Sequence, residues 1–170
     1  PAEGKAYPEF VGMTPDASQV FFSSITTPSS GARTVYMTDG NTGTTVAAAP
    51  FPAAFGPMSG NGRYMLVQAE AEAGQVFGGL QWHDRQTGAM RPVESVANTL
   101  RDGQPRAIGV SDDGRTVMFH TYSSNVVAGD TNRSYDYFVQ DMLSGRVAAA
   151  QSSTDGTIGN GTIYNAVLSA

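Results

Sequence analysis

One stretch of the chain carries oxygen-bearing side chains at metal-ligand spacing. Asp130, Asn132, Ser134 and Asp136 recur at every second position, and a loop built this way can wrap a hard cation such as calcium. The match to a helix–loop–helix calcium loop is incomplete. Its sixth position, which wants Gly, is Tyr135, and no Glu follows at the twelfth, where Asp141 stands. Asp and Asn also make turns with no metal at all, so a structural turn is the simpler reading and calcium the alternative. No other cofactor is indicated.

The remaining candidates for chemistry have equally plain structural readings. Asp39, Asp84 and Asp141 suggest a carboxylate cluster, yet each stands four residues before a Gly, at Gly43, Gly88 and Gly145. That fixed spacing points to hairpin turns, in which the carboxylate accepts backbone N–H bonds and Gly supplies a positive φ. His83 and His120 both fall in predicted strands, and no Gly-x-Ser-x-Gly elbow is present to supply a nucleophile. Trp82, the single tryptophan, is expected to pack inside a sheet rather than stack on a sugar or peptide. Ser111-Asp-Asp-Gly-Arg-Thr116 approaches a sialidase Asp-box, but its Gly falls one place early, so a glycosidase reading loses its support. The glycosylation tripeptides at Asn132 and Asn160 are of a kind common by chance in a Ser/Thr-rich chain.

Composition narrows the class. With 170 residues the chain can bury a normal core, and 40% hydrophobic against 15% charged residues, with 20 Gly, suits a turn-rich β protein. A net charge of −5 with scattered basic residues argues against nucleic acid. The absence of Cys removes disulfides, thiolate metal sites and thiol nucleophiles. No apolar run is long enough to span a membrane. The chain begins at Pro1, as expected of a processed or trimmed product, removal of an export signal being one such route.

The elements that must position these residues emerge as a repeat. Three turns of the Asp-x-x-Thr/Ser-Gly type, at 39–43, 84–88 and 141–145, follow three earlier turns at Thr14–Ala17, Ser59–Gly62 and Ser111–Gly114. A unit of roughly 45 to 58 residues recurring in this way reads as a propeller blade. Each unit parses into four strands. Strand one enters the earlier turn and carries a Gly at 12, 56 or 109, as expected where another backbone passes close. Strand two is the apolar run after the turn. Strand three runs into the Asp motif, and strand four leaves it. Of the turn pairs Asp16-Ala17, Asn61-Gly62 and Asp113-Gly114, the latter two suggest two-residue hairpins with positive φ at both central positions; Ala17 in place of Gly makes its turn strained or of another type. Residues 68–75 are too short for an independent helix and are read as loop.

The expected architecture is therefore an all-β propeller of four-stranded antiparallel blades. A single segment spans 1–170, with blades at about 7–48, 55–97 and 105–150 and the first strand of a fourth at 160–170. Three blades and a strand do not close a ring of ordinary size. The chain is expected to belong to a longer propeller, to complete one with other copies, or to receive strands from a neighbour, since open edges promote aggregation.

These residues resemble a known family. The apolar run after Ser111-Asp-Asp-Gly114, the loop Ser123-Ser-Asn125-Val-Val-Ala-Gly-Asp-Thr-Asn132, the strand Asp136-Tyr-Phe-Val-Gln-Asp141 and Gly145 together resemble the bacterial PD40 (TolB-type, WD40-like) propeller repeat. The third unit matches closely, the second moderately and the first only in its turns; the first two lack the Gly-Asp-Thr-Asn loop. The resemblance implies a periplasmic or secreted propeller used as a binding module or attached to an enzyme, and it implies no single chemistry. The function expected is a non-catalytic scaffold presenting the loops between strands two and three to a protein or glycan. The alternatives are the propeller portion of a prolyl-oligopeptidase-like hydrolase whose catalytic residues lie elsewhere, and a structural subunit of an assembly.

Overall fold

Turn chemistry sets where the strands begin and end. The computed structural model describes residues 8–27, 32–48, 53–69, 79–93, 105–124, 126–132, 134–153, 157–159 and 166–168. All regular structure among them is β-strand. The first four-stranded sheet is formed by β1 (Glu9–Met13), β2 (Gln19–Thr27), β3 (Ala32–Asp39) and β4 (Thr45–Ala47). The second is β5 (Ala53–Met58), β6 (Tyr64–Ala69), β7 (Leu80–Asp84) and β8 (Met90–Pro92), and the third is β9 (Arg106–Val110), β10 (Thr116–Thr121), β11 (Asp136–Asp141) and β12 (Val147–Ala149). Each sheet is an antiparallel meander in chain order. Gln68 and Ala69 close β6 rather than open a loop; the rest of 70–75 lies outside the described residues, as does most of the expected strand at 160–170.

The first hairpin of each blade is not a two-residue turn. Positive φ occurs at a single turn residue, Ala17 (56°), Gly62 (72°) or Gly114 (70°), and the preceding Asp or Asn is ordinary. The backbone closes an i to i+3 turn, with Gly62 N–H donating to the Ser59 carbonyl at 2.9 Å and Ala17 N–H to that of Thr14 at 2.8 Å. The strands resume only where Ser59 N–H meets the Tyr64 carbonyl, giving a four-residue loop around the turn. An Asn-Gly or Asp-Gly pair serves both kinds of turn, so the pair alone does not fix loop length. Ala17 keeps the glycine geometry, and an L-residue there is strained.

Two seams hold the sheets face to face. Alternation along β6 sends Met65 and Val67 to one side and Tyr64 and Leu66 to the other. Met65 and Val67 meet Phe21, Val35 and Ala48 of the first sheet. Tyr64, Leu66, Leu80 and Trp82 meet Val117, Phe119 and Phe138 of the third. Burying each of these larger side chains contributes about 1.5–3 kcal/mol. The strand-one glycines mark a bulge in every copy, at 10–12, 55–58 and 107–109 on their own strands. A Cβ on Gly56 would lie 3.0 Å from the Ala107 Cβ, and one on Gly109 would lie 3.0 Å from the Leu168 Cβ. β5 therefore approaches β9 closely at Gly56, and the segment 166–168 approaches β9 closely at Gly109. Gly12 has no such neighbour among the described residues.

Candidate functional site

The hairpin mouth of the third blade gathers the most unusual chemistry. Strands β10 and β11 end their pairing at Thr121 and Asp136, both fully buried. Between them the chain makes a long excursion with its own interior, in which Ser123, Val126 and Asp130 are all buried. Gly129, at φ 90°, turns the backbone back so that Asp130 faces inward. The Ser123 N–H donates to Thr121 Oγ1 at 3.2 Å, tying the loop to the strand end.

Asp136 and Asp130 are only partly satisfied. Asp136 Oδ1 accepts from Gln151 Nε2, and Gln151 Oε1 in turn accepts the Tyr137 N–H at 2.8 Å. Asp136 Oδ2 and both carboxylate oxygens of Asp130 are buried with no hydrogen-bond partner. Burial pushes both carboxyls above their ordinary range. At Asp136 the Asn132 side chain offsets part of the shift, and the neighbouring Asp130 adds to it. The Asn132 N–H and Asp136 temper the shift at Asp130, without making a hydrogen bond of normal geometry.

The four residues singled out by spacing thus divide. Asp130 and Asp136 point their carboxylates into one buried region. Asn132 is engaged in turn formation: its Oδ1 accepts the Ser134 N–H at 2.8 Å and its Nδ2 donates to the Gly159 carbonyl at 3.2 Å. Ser134 enters through its backbone.

Elsewhere, the chemistry-bearing residues are structural. Asp39 Oδ1 accepts the Asn41 and Thr42 N–H groups at 2.8 and 3.0 Å, and Asp141 Oδ1 accepts those of Leu143 and Ser144, both at 2.9 Å. Gly43, Gly88 and Gly145 all have positive φ. Trp82 stacks on Tyr64 with ring centroids 5.3 Å apart and donates its indole N–H to the Gly114 carbonyl at 2.9 Å. It is seam packing. His83 is buried, paired in register with Met65 and Met90, while His120 stacks on Tyr135 and lies tilted against Tyr137. Burial depresses both imidazoles below their ordinary value.

Two recurring devices escaped sequence reasoning. The first is a relay at the earlier turn. Ser59 Oγ donates to Asn61 Oδ1 and accepts the Tyr64 N–H, and Asn61 Oδ1 also accepts the Arg63 N–H. Thr14 with Asp16, and Ser111 with Asp113, repeat it. A Ser/Thr two places before Asp/Asn was its available signal. The second is a clip between the two turns of one blade, Arg63 to Asp84 and Arg115 to Asp141, each at 2.8 Å. Ser18 occupies the corresponding place in the first blade.

No family model matches the chain, and no curated protein matches its sequence. Solved structures do match its fold. TolB from Acinetobacter baumannii is similar with a TM-score of 0.57 and 20% identity, over 88% of this chain and 32% of that one. The β-propeller domain of the Trilobed protease from Pyrococcus furiosus has a TM-score of 0.57 and 12% identity, over 84% of this chain and 41% of that one. An acylaminoacyl peptidase from Pyrococcus horikoshii has a TM-score of 0.53 and 10% identity, over 83% of this chain and 24% of that one. The chain spans less than half the length of each. The fold is a β-propeller segment. TolB is among the structures of similar fold, in keeping with the resemblance of the third unit's motifs to the TolB-type repeat.

Proposed function

We propose that this chain is a non-catalytic propeller scaffold that works outside the cytoplasm by presenting inter-strand loops to a protein or glycan. The observation that carries this reading is the contrast within the third blade. Its turns are built like those of the other blades, whereas its loop between β10 and β11 has its own buried residues and displays aromatic rings. Tyr122 and Tyr135 are exposed, edge-on at a centroid distance of 3.9 Å, and Tyr135 lies against His120. Such rings offer a rigid, amphipathic platform for a sugar face or an apolar peptide side chain. Neither histidine is hydrogen-bonded to a hydroxyl or carboxylate among the described residues, which favours binding over catalysis.

The test is a glycan and peptide array probed with the wild-type chain and with Tyr122→Ala/Tyr135→Ala. Saturable binding that the double variant loses supports the proposal. Turnover of ester or peptide substrates by the chain alone would overturn it.

A second reading draws on the peptidases among the structures of similar fold: this segment is the propeller portion of a larger hydrolase. An α/β-hydrolase nucleophile elbow encoded in the same reading frame would favour it.

A further inference from the structure

We propose that Asp130 and Asp136 hold a calcium ion that fastens the loop between β10 and β11 to the third blade. Three carboxylate oxygens, two on Asp130 and one on Asp136, are buried and have no hydrogen-bond partner. Asp130 is 5% exposed and Asp136 0%. Ionised carboxylates out of contact with water need a counter-charge or a proton. No Arg or Lys pairs with either one among the described residues. Two acidic side chains, one from within the loop and one from the first residue of β11, bring three unpartnered carboxylate oxygens to one buried region, which suits a hard divalent cation. Calcium accepts an irregular shell completed by main-chain carbonyls and water, whereas magnesium demands a near-ideal octahedron.

The rest of the molecule supplies an internal comparison. Counted back from Asp39 and Asp84, the strand position of Asp136 is Thr34 in the first blade and Gly79 in the second. Neither carries a carboxylate, so the pair of acids belongs to the third blade alone. Gln151 donates to Asp136 Oδ1 and leaves the buried Oδ2 without a partner. Asn132, bonded to the Ser134 N–H and the Gly159 carbonyl, fixes the loop's return path over the site. The ion would act as the loop's staple, and the inference does not depend on what the loop binds.

The rival is a pair of carboxyls sharing one proton, as closely placed acids do. Calorimetric titration of the EDTA-treated, dialysed 170-residue chain with calcium chloride at neutral pH separates the two. The expected result is stoichiometric, saturable binding of one calcium per chain with a rise in melting temperature. Magnesium should give a weaker response. Asp130→Asn should lower the affinity by about tenfold or more, because ligand charge count sets calcium affinity. Hydrogen exchange on the wild-type chain provides a readout that needs no variant. Calcium should slow exchange at the amides of 121–136 and leave those of β2 and β3 unchanged. Absence of saturable binding at millimolar calcium, an unchanged response in a folded Asp130→Asn chain, or protection spread evenly over all three blades would overturn the assignment.

Discussion

The seam between the first and second blades and the seam between the second and third use opposite faces of one sheet, yet they are built differently. The first is aliphatic and methionine-rich: Phe21 meets Val35, Met65 and Val67, with Met37, Met58 and Met90 at its margin. Arg85 bridges it, donating to Gln19 Oε1 at 3.0 Å and lying 4.7 Å from the centre of the Phe21 ring. The second is aromatic and directional. Tyr64 and Trp82 stack, Phe119 and Phe138 stack, and the Trp82 indole N–H, Asn61 Nδ2 and Arg91 Nη1 each donate to a carbonyl of the third blade. Methionine fills irregular space with little geometric demand, whereas stacked rings tied by hydrogen bonds accept few arrangements. One repeat plan thus tolerates two kinds of adhesion, and the second seam fixes its blades more tightly.

The largest expected effect lies in that second seam. Trp82→Ala should cost about 3–5 kcal/mol by urea denaturation, through lost burial and an orphaned carbonyl. Met65→Leu in the first seam should cost less than about 1.5 kcal/mol, as a volume-conserving change. Equal losses would erase the distinction between the seams. Next come the turn glycines. A Cβ on Gly114 would fall 2.6 Å from the Tyr64 ring, whereas one on Gly145 meets nothing within 4 Å, and both have positive φ. Gly145→Ala should therefore cost only the left-handed strain, about 1–2 kcal/mol, and Gly114→Ala distinctly more in the same melt.

Acid titration gives a smaller separation. Arg115 and the turn N–H groups hold Asp141 at about 2, against an ordinary 3.8, and Arg63 holds Asp84 lower still. The folded chain keeps these charges where the unfolded chain loses them. Their stabilisation is full above about pH 4 and is lost as the pH falls towards 2 and below. Arg115→Ser, which copies Ser18 of the first blade, should flatten the fall in melting temperature between pH 4 and 2; an unchanged slope would remove the clip from the account. The depressed imidazoles of His83 and His120 add a separate acid loss that begins below about pH 6.5. The smallest effect is a gain. Ala17→Gly should relieve left-handed strain and raise stability by about 0.5–1 kcal/mol, measurable as a small rise in denaturation midpoint.

What was legible follows from how local each cause is. The Asp-x-x-Thr/Ser-Gly turns could be read because a side-chain cap and a positive φ are demanded within five residues. Four strands per unit followed from those turns. The seams were hidden because their partners are distant: Trp82 and Gly114 belong to different blades, and nothing in either local pattern names the other. The clips were missed for the same reason, since Arg63 and Asp84 meet only once β6 and β7 pair. Loop length at Asn61-Gly62 was misjudged because one dipeptide suits two turn geometries. For Asp130 and Asp136 the spacing was visible, but burial without partners is a property of the folded loop alone.

The contact between Gly114 and Tyr64 has a consequence for how such a repeat is inherited. Gly62 is seated against Thr14 and Gln19 of the first blade in the way Gly114 is seated against Tyr64 of the second. Each turn is thus cut to the residue that opens strand two in the blade before it. A duplicated or recombined blade would bring its own turn but meet a foreign neighbour, so blades are keyed rather than interchangeable. With Tyr64 seated on Gly114, the order of the blades is itself part of what the sequence must keep.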